Sequence, residues 1–230
     1  MGNQLELYQL GHLILEDALD DIMVEIYLKQ KEQNKNSFLI TGCGAEVGTT
    51  TIAINLAITI AKAGWRTILI DADMRKLAAY KRVNEKVEKG LSEYLSNNAE
   101  WKDIIYKTNC NELYYLPSGK HNERTVGLLC SEKVDKLMAN LVDEFDYIII
   151  DTTSINTVVD AKILASKVDE ILLVAAQNQT KKKQIRMAKQ KVAEVGKEIG
   201  GIVFNKVDKR EYRKYKENYN YFKQKRYKRD

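Results

Sequence analysis

The chain has 230 residues, 44% of them hydrophobic and 30% charged, with a single proline, so it is long enough to bury one substantial core and offers little material for a stiff linker. Its net charge of +5 is unevenly placed: positions 209–230 hold ten Lys or Arg against three acidic residues, a local +7, which leaves the remainder at about −2. No apolar run approaches the roughly 18 to 20 residues that span a bilayer, and three cysteines without metal-ligand spacing (Cys43, Cys110 and Cys130) fit a reducing compartment better than a disulfide framework.

The opening MGNQLE has Glu6 where a myristoylation signal wants Ser or Thr, so no lipid anchor is expected. A helix is expected over 13–31, where Leu15, Leu19, Ile22 and Ile26 recur at three to four. Short apolar, β-rich runs follow at 37–41, 67–71, 112–116, 147–151, 170–176 and 201–205. Segments of helical period separate them at 50–63, 131–145, 158–167 and 181–195, and 75–111 is the least regular stretch. Strands apolar on both faces and separated by helices indicate a doubly wound α/β fold, a mainly parallel sheet with helices on both faces. One domain over 1–208 with a basic, tyrosine-rich tail over 209–230 is the expected organisation. In such folds ligands sit beyond the carboxyl ends of the strands.

Three of those ends carry chemistry. The first runs LITGCGAEVGTTT and is read as a phosphate-binding frame, G-x-x-x-x-G-K-[ST], entered at Gly42, with Thr49 in place of the lysine. Glycines 42, 44 and 48 let successive N–H groups turn inward, and the following helix adds the positive end of its dipole. Thr50 can supply the hydroxyl that such loops give to Mg²⁺, whereas Thr49 cannot supply the lysine's charge. The second end, ILIDADMRK, places Asp71 and Asp73 together, and the third, YIIIDTTS, ends in Asp151 like a Walker B acid. Neighbouring acids of this kind are explained by a cation held between them.

On these motifs the sequence resembles the bacterial tyrosine kinases of capsule and exopolysaccharide synthesis, within the P-loop ATPases related to MinD and ParA. ILIDADMRK is similar to their Walker A′ motif and YIIIDT to their Walker B. LYYLPSG and LLCSEKVDKLM are similar to the segment between, and the closing tyrosine cluster fits as well. The resemblance implies an ATP- and Mg²⁺-dependent autokinase that phosphorylates its own C-terminal tyrosines across subunits. It also implies a membrane adaptor of the polysaccharide chain-length type, and so a cytoplasmic place at the inner face of the plasma membrane. By the same resemblance Gly42, Cys43, Gly44, Ala45, Glu46, Val47, Gly48, Thr49, Thr50 and Thr51 would cradle the nucleotide together with Asn205. Thr50, Asp73 and Asp151 would hold Mg²⁺, Asp71 would assist the attacking hydroxyl, and Tyr212, Tyr215, Tyr219, Tyr221 and Tyr227 would accept phosphate.

The departures are specific. Thr49 replaces the lysine, DTTS replaces D-T-P-P, and ERTVGLL lacks the asparagine-proline pair before its paired leucines. The ring-forming E-x-x-R-x-x-R helix is matched only by Asp17, Asp20 and Met23, without either arginine, so a homo-oligomer would lack those contacts. Two classes of function therefore stay open: a weak or adaptor-dependent tyrosine kinase, and a nucleotide-binding pseudokinase that serves as a scaffold. Arg75, Lys76 or a basic tail residue from a neighbouring subunit is a candidate replacement for the lost charge. NKVD at 205–208 matches the guanine-reading N-K-x-D of GTPases, and Cys43, at a helix N-terminus, is a candidate redox switch. The basic tail also suits an anionic membrane surface, no specific nucleic acid is expected, and His12 and His121 are isolated.

Overall fold

In this computed structural model the described residues are Leu5, 13–75, 89–208 and 210–211, the side chains of 13–16 excepted. Lys76 and the five tail tyrosines lie outside them. The chain runs α1 (Leu13–Gln33), β1 (Ser37–Gly42), α2 (Thr49–Lys62), β2 (Thr67–Asp71), α3 (Leu91–Leu95), β3 (Tyr106–Lys107) and β4 (Leu113–Leu116). It continues with α4 (Thr125–Leu129), α5 (Glu132–Glu144), β5 (Tyr147–Asp151), α6 (Asp160–Ala165), β6 (Glu170–Ala176), α7 (Lys182–Ala193) and β7 (Gly201–Asn205). All six expected strands are present, and the short β3 and α3 come from the stretch without clear period.

The strands form one sheet in the order β3-β4-β2-β5-β1-β6-β7, parallel throughout except for the β3–β4 pair. Side chains alternate between two cores, as the period of two in a strand requires. Phe38, Ile40, Leu69, Tyr147 and Ile149 face α1 and α2, while Leu39, Ile68, Ile70, Ile148 and Ile150 face α5, α6 and α7. The second helix is apolar nearly all round, with Ile52 to Ala61 buried save Thr59, because α1 covers the side of it that the sheet does not. Leu19 and Ile26 fix α1 in that place, and Ile22 packs beside them, as their spacing predicts. Lys29 and Lys35 hold the end of the same layer by ion pairs of 3.0 and 2.8 Å to Glu170, the buried first residue of β6. Among the described residues no helix is long and apolar enough to cross a membrane.

Register then decides which residues meet. Since β5 lies between β1 and β2, Asp151 pairs with Asp71 on one side and with Ile40 on the other. The chain leaves β1 towards β2 but leaves β5 across β1 to β6, so the carboxyl end of β1 and β5 is the point where the winding reverses and a crevice opens.

Candidate active site

A cleft of about 550 Å³ opens at that reversal. Its floor is the loop between β1 and α2, its near wall Asp73, and its far wall the segment after β5, from Asp151 to Val158, with Lys206 at the rim. Of the residues expected from sequence, Gly44, Ala45, Glu46, Gly48, Thr49, Thr50, Thr51, Asp73 and Asp151 line it. Gly42, Cys43, Val47, Asp71 and Asn205 do not: the first four are buried behind the lining, and Asn205 braces the loop from outside.

One correction concerns the frame. Five residues separate Gly42 from Gly48, so the first position of G-x-x-x-x-G-K counted back from Thr49 is Cys43, and Gly42 is the last residue of β1. Gly42 is nonetheless required, because a Cβ there would stand 2.7 Å from Val47 Cγ2 and 2.8 Å from Thr49 Oγ1. Gly48 caps α2 in the left-handed region, at φ 93°, where an L side chain is strained. A Cβ on it would also meet Asn205 Nδ2 at 2.2 Å. That amide donates to Val47 O at 2.9 Å, and the next residue, Lys206, donates from Nζ to Glu46 O at 2.6 Å. The N-K pair of NKVD thus braces the loop, while Asp208 Oδ1 accepts from Arg210 N.

From the other side, Asn156 Nδ2 donates to Cys43 O and to Gln184 O, both at 2.8 Å. Thr41 Oγ1 ties the end of β1 to the segment after β5, donating to Thr153 O at 2.7 Å and accepting from Ile155 N at 3.0 Å. The loop is therefore held at three carbonyls by side chains from the ends of β5 and β7.

The acids differ in environment. Asp71 Oδ1 accepts from Asp73 N at 3.1 Å, and its Oδ2 lies 3.5 Å from the hydroxyl of Tyr115, a buried residue of β4. Burial, then the charges of Asp71 and Asp151 and the hydrogen bond to Asp71, push Tyr115 well above the usual tyrosine range, so it stays protonated and donates. Arg75 binds Asp160 through both Nε and a terminal nitrogen, at 2.7 and 2.9 Å, with Asp160 only 2% exposed. That engagement corrects its candidacy as the missing cation. Cys43 is fully buried and its thiol is pushed up to about 11 by desolvation, which is the opposite of a redox-active thiolate.

Whether a nucleotide and a divalent cation suit these residues can be tested on the residues themselves. Gly42 and Gly48 leave a cradle that a Cβ would fill. Thr152 and Thr153, in the far wall, have buried hydroxyls without a hydrogen-bond partner among the described residues. Thr50, Asp73 and Asp151 offer hard oxygen donors in one cleft. No cluster of three or more His, Cys, Asp or Glu capable of caging a metal occurs among the described residues. A sparse oxygen set of one hydroxyl and two carboxylates suits Mg²⁺, which keeps waters and shares phosphates rather than occupying a full protein cage.

Comparison with known proteins agrees with this geometry. An AAA domain family profile matches residues 42–200. The tyrosine-protein kinase CpsD of Streptococcus agalactiae is 37% identical over 196 residues, covering 84% of this chain and 84% of that protein. The chain belongs to the bacterial tyrosine-kinase family. CpsD of Streptococcus pneumoniae is 36% identical over 171 residues, 74% of this chain and 75% of its own. The kinase domain of the Escherichia coli tyrosine kinase ETK superposes with a TM-score of 0.80 at 27% identity, covering 85% of this chain and 76% of that one. Within this bacterial tyrosine kinase, the sequence carries no sign of Thr157 and Val158, which belong to no motif and reach the cleft through the path after β5, or of Asn156, which braces the loop at Cys43 O. Nor does it show the direction of Lys206, whose backbone turns into the left-handed region at φ 56° immediately after β7.

Proposed function

We propose that the protein is an ATP-dependent protein-tyrosine autokinase acting in capsule or exopolysaccharide synthesis. The observation that carries this reading is the convergence of the phosphate loop, Thr50, Asp73 and Asp151 on one cleft, in a chain whose relatives are named tyrosine kinases. In the proposed arrangement the N–H groups of 44–51 bind the phosphate chain at the start of α2, where the helix dipole favours negative charge. Thr50, Asp73 and Asp151 hold Mg²⁺, which when bound offsets charge on the transferring phosphoryl group. Asp71, held behind the lining by Asp73 N and the Tyr115 hydroxyl, assists the attacking tyrosine hydroxyl in this proposal only once entry of an acceptor uncovers its carboxylate.

In this reading 209–230 is an acceptor tail outside the domain of 1–208, with Tyr212, Tyr215, Tyr219, Tyr221 and Tyr227 as acceptors. Each phosphate adds about −1.5 to −2, so full modification cancels or inverts the local +7 and releases the tail from acidic surfaces. A membrane adaptor that activates the kinase and brings it to the inner face of the membrane completes the proposal. The absence of lysine at position 49 makes turnover slow rather than nil, because binding rests on backbone groups.

The test is incubation of purified protein with ATP and Mg²⁺, with detection of phosphotyrosine, for the natural chain, Asp71→Ala, Asp151→Asn and a chain truncated after Asp208. Label confined to the tail and lost in each variant is expected. ATP binding with no label under any condition, adaptor tail included, would sink the kinase reading and leave a scaffold.

A further inference from the structure

The loop has lost the charge that lysine gives at position 49, and the described residues contain one cation that lines the same cleft, Lys206. It follows the last residue of β7 directly. Two features fix its direction. The left-handed backbone at φ 56° turns the chain sharply after Asn205, a conformation that is unfavourable for a residue other than glycine and needs its surroundings to hold it. The ammonium group is then held by two neutral acceptors, Glu46 O at 2.6 Å and Gln179 Oε1 at 3.1 Å.

An ammonium has three N–H donors, and both acceptors are uncharged, so its charge is oriented but not neutralised. Among the described residues Lys206 makes no ion pair, whereas Arg75 is bound to Asp160. Lys191, held by Ile155 O and Asn156 O, does not line the cleft. The acids that share the lining with Lys206 (Glu46, Asp73 and Asp151) make the cleft electronegative, so a cation at its rim adds to the charge of a bound Mg²⁺ in drawing in a polyphosphate.

We propose that Lys206 replaces the missing loop lysine: from the end of β7 it contributes the cation that binds the phosphate chain of a nucleotide in the cleft. The inference rests on the nucleotide-binding reading above and goes beyond it in assigning the phosphate charge to a residue outside the loop. It also gives Gln179 and Glu46 O the role of positioning that ammonium rather than contacting ligand.

The experiment measures affinity for a fluorescent ATP analogue, then competition by ATP and by inorganic tripolyphosphate. The proteins are the natural full-length chain, Lys206→Met, Lys206→Arg, Thr49→Lys and the double variant Thr49→Lys/Lys206→Met. Lys206→Met should weaken ATP and tripolyphosphate together, each about tenfold or more, as loss of a charge-assisted contact requires. Lys206→Arg should retain most of the affinity, and the double variant should recover it, since a lysine at 49 restores the charge from the usual side. Thermal unfolding without ligand shows whether each variant is folded.

If the natural chain and Thr49→Lys both fail to bind the analogue, the nucleotide reading itself is wrong. If they bind and Lys206→Met is unchanged, the relocated-lysine inference is overturned while the nucleotide reading stands. A loss for ATP but not for tripolyphosphate also overturns it, placing Lys206 at the base or ribose. So does a loss that Thr49→Lys fails to restore, which would make Lys206 a brace of the loop only.

Discussion

Replacing Gly48 by alanine tests whether the loop is shaped by its neighbour at the end of β7. The substitution forces an L side chain into the left-handed region at φ 93°, which costs about 1 to 2 kcal/mol. Its Cβ would also fall 2.2 Å from Asn205 Nδ2, so the amide must withdraw from Val47 O. Losing that bond at a buried residue costs about 1 to 2 kcal/mol more. Asn205→Ala alone forfeits only the second quantity. In the double variant the overlap is gone and the bond is already lost, so Gly48→Ala adds only its backbone strain. The double variant should therefore be about as unstable as Gly48→Ala alone, roughly 2 to 4 kcal/mol below the natural chain, and the cycle should be sub-additive by about 1 to 2 kcal/mol. Urea unfolding of the four proteins, with unchanged m-values, gives the comparison. Additivity within about 0.5 kcal/mol would refute the contact and with it the claim that β7 sets the loop's shape.

Three further outcomes are expected. Arg75→Ala strands the buried carboxylate of Asp160 and should destabilise the chain by about 2 to 4 kcal/mol in the same unfolding assay, with Arg75→Lys recovering part of the loss because only the two-pronged geometry is gone. Burial raises Glu170, but hydrogen bonds and charge from Lys35 and Lys29 outweigh it and hold the carboxyl below its usual value. Its contribution is present above pH about 4.5 and lost as pH falls through the lower folded value, so Glu170→Gln should flatten the acid limb of stability measured from pH 6 to 3. Cys43, buried and pushed up to about 11, should resist a maleimide at pH 7.5 until the protein is unfolded, while exposed Cys130 reacts at once; mass spectrometry of labelled peptides reads the order.

The strands were legible because each is a short run of residues apolar on both faces, and a central parallel strand must be so. The acids at their ends were legible for a related reason: Asp71 and Asp151 close such runs, where a charge has no structural purpose in the core. What was not legible depended on path rather than pattern. Asn156 and Thr157 sit in a segment without period, and only the turn after β5 brings them to the loop. The short helix Leu91–Leu95 holds too few residues to show a period, and it is placed by Gly90 and Pro117 across a chain separation that local sequence does not encode. Arg75 looked available because its partner, Asp160, lies 85 residues away. The frame of the loop was misplaced by one residue because Gly42 serves β1 as well as the turn.

Strand β7 pairs only with β6 among the described residues and leaves Ile202 and Phe204 more than half exposed. An outermost strand opens more readily than the strands inside it, since fewer bonds must break at once. Asn205 and Lys206 belong to that strand and its turn, so two of the three braced carbonyls of the loop are clamped by the sheet's periphery and the third, Cys43 O, from its centre. Each fraying event at the rim releases the carbonyls of Val47 and Glu46 together. Amide exchange in the loop should then keep time with exchange in β7, and not with the slower interior of β1 from which the loop emerges.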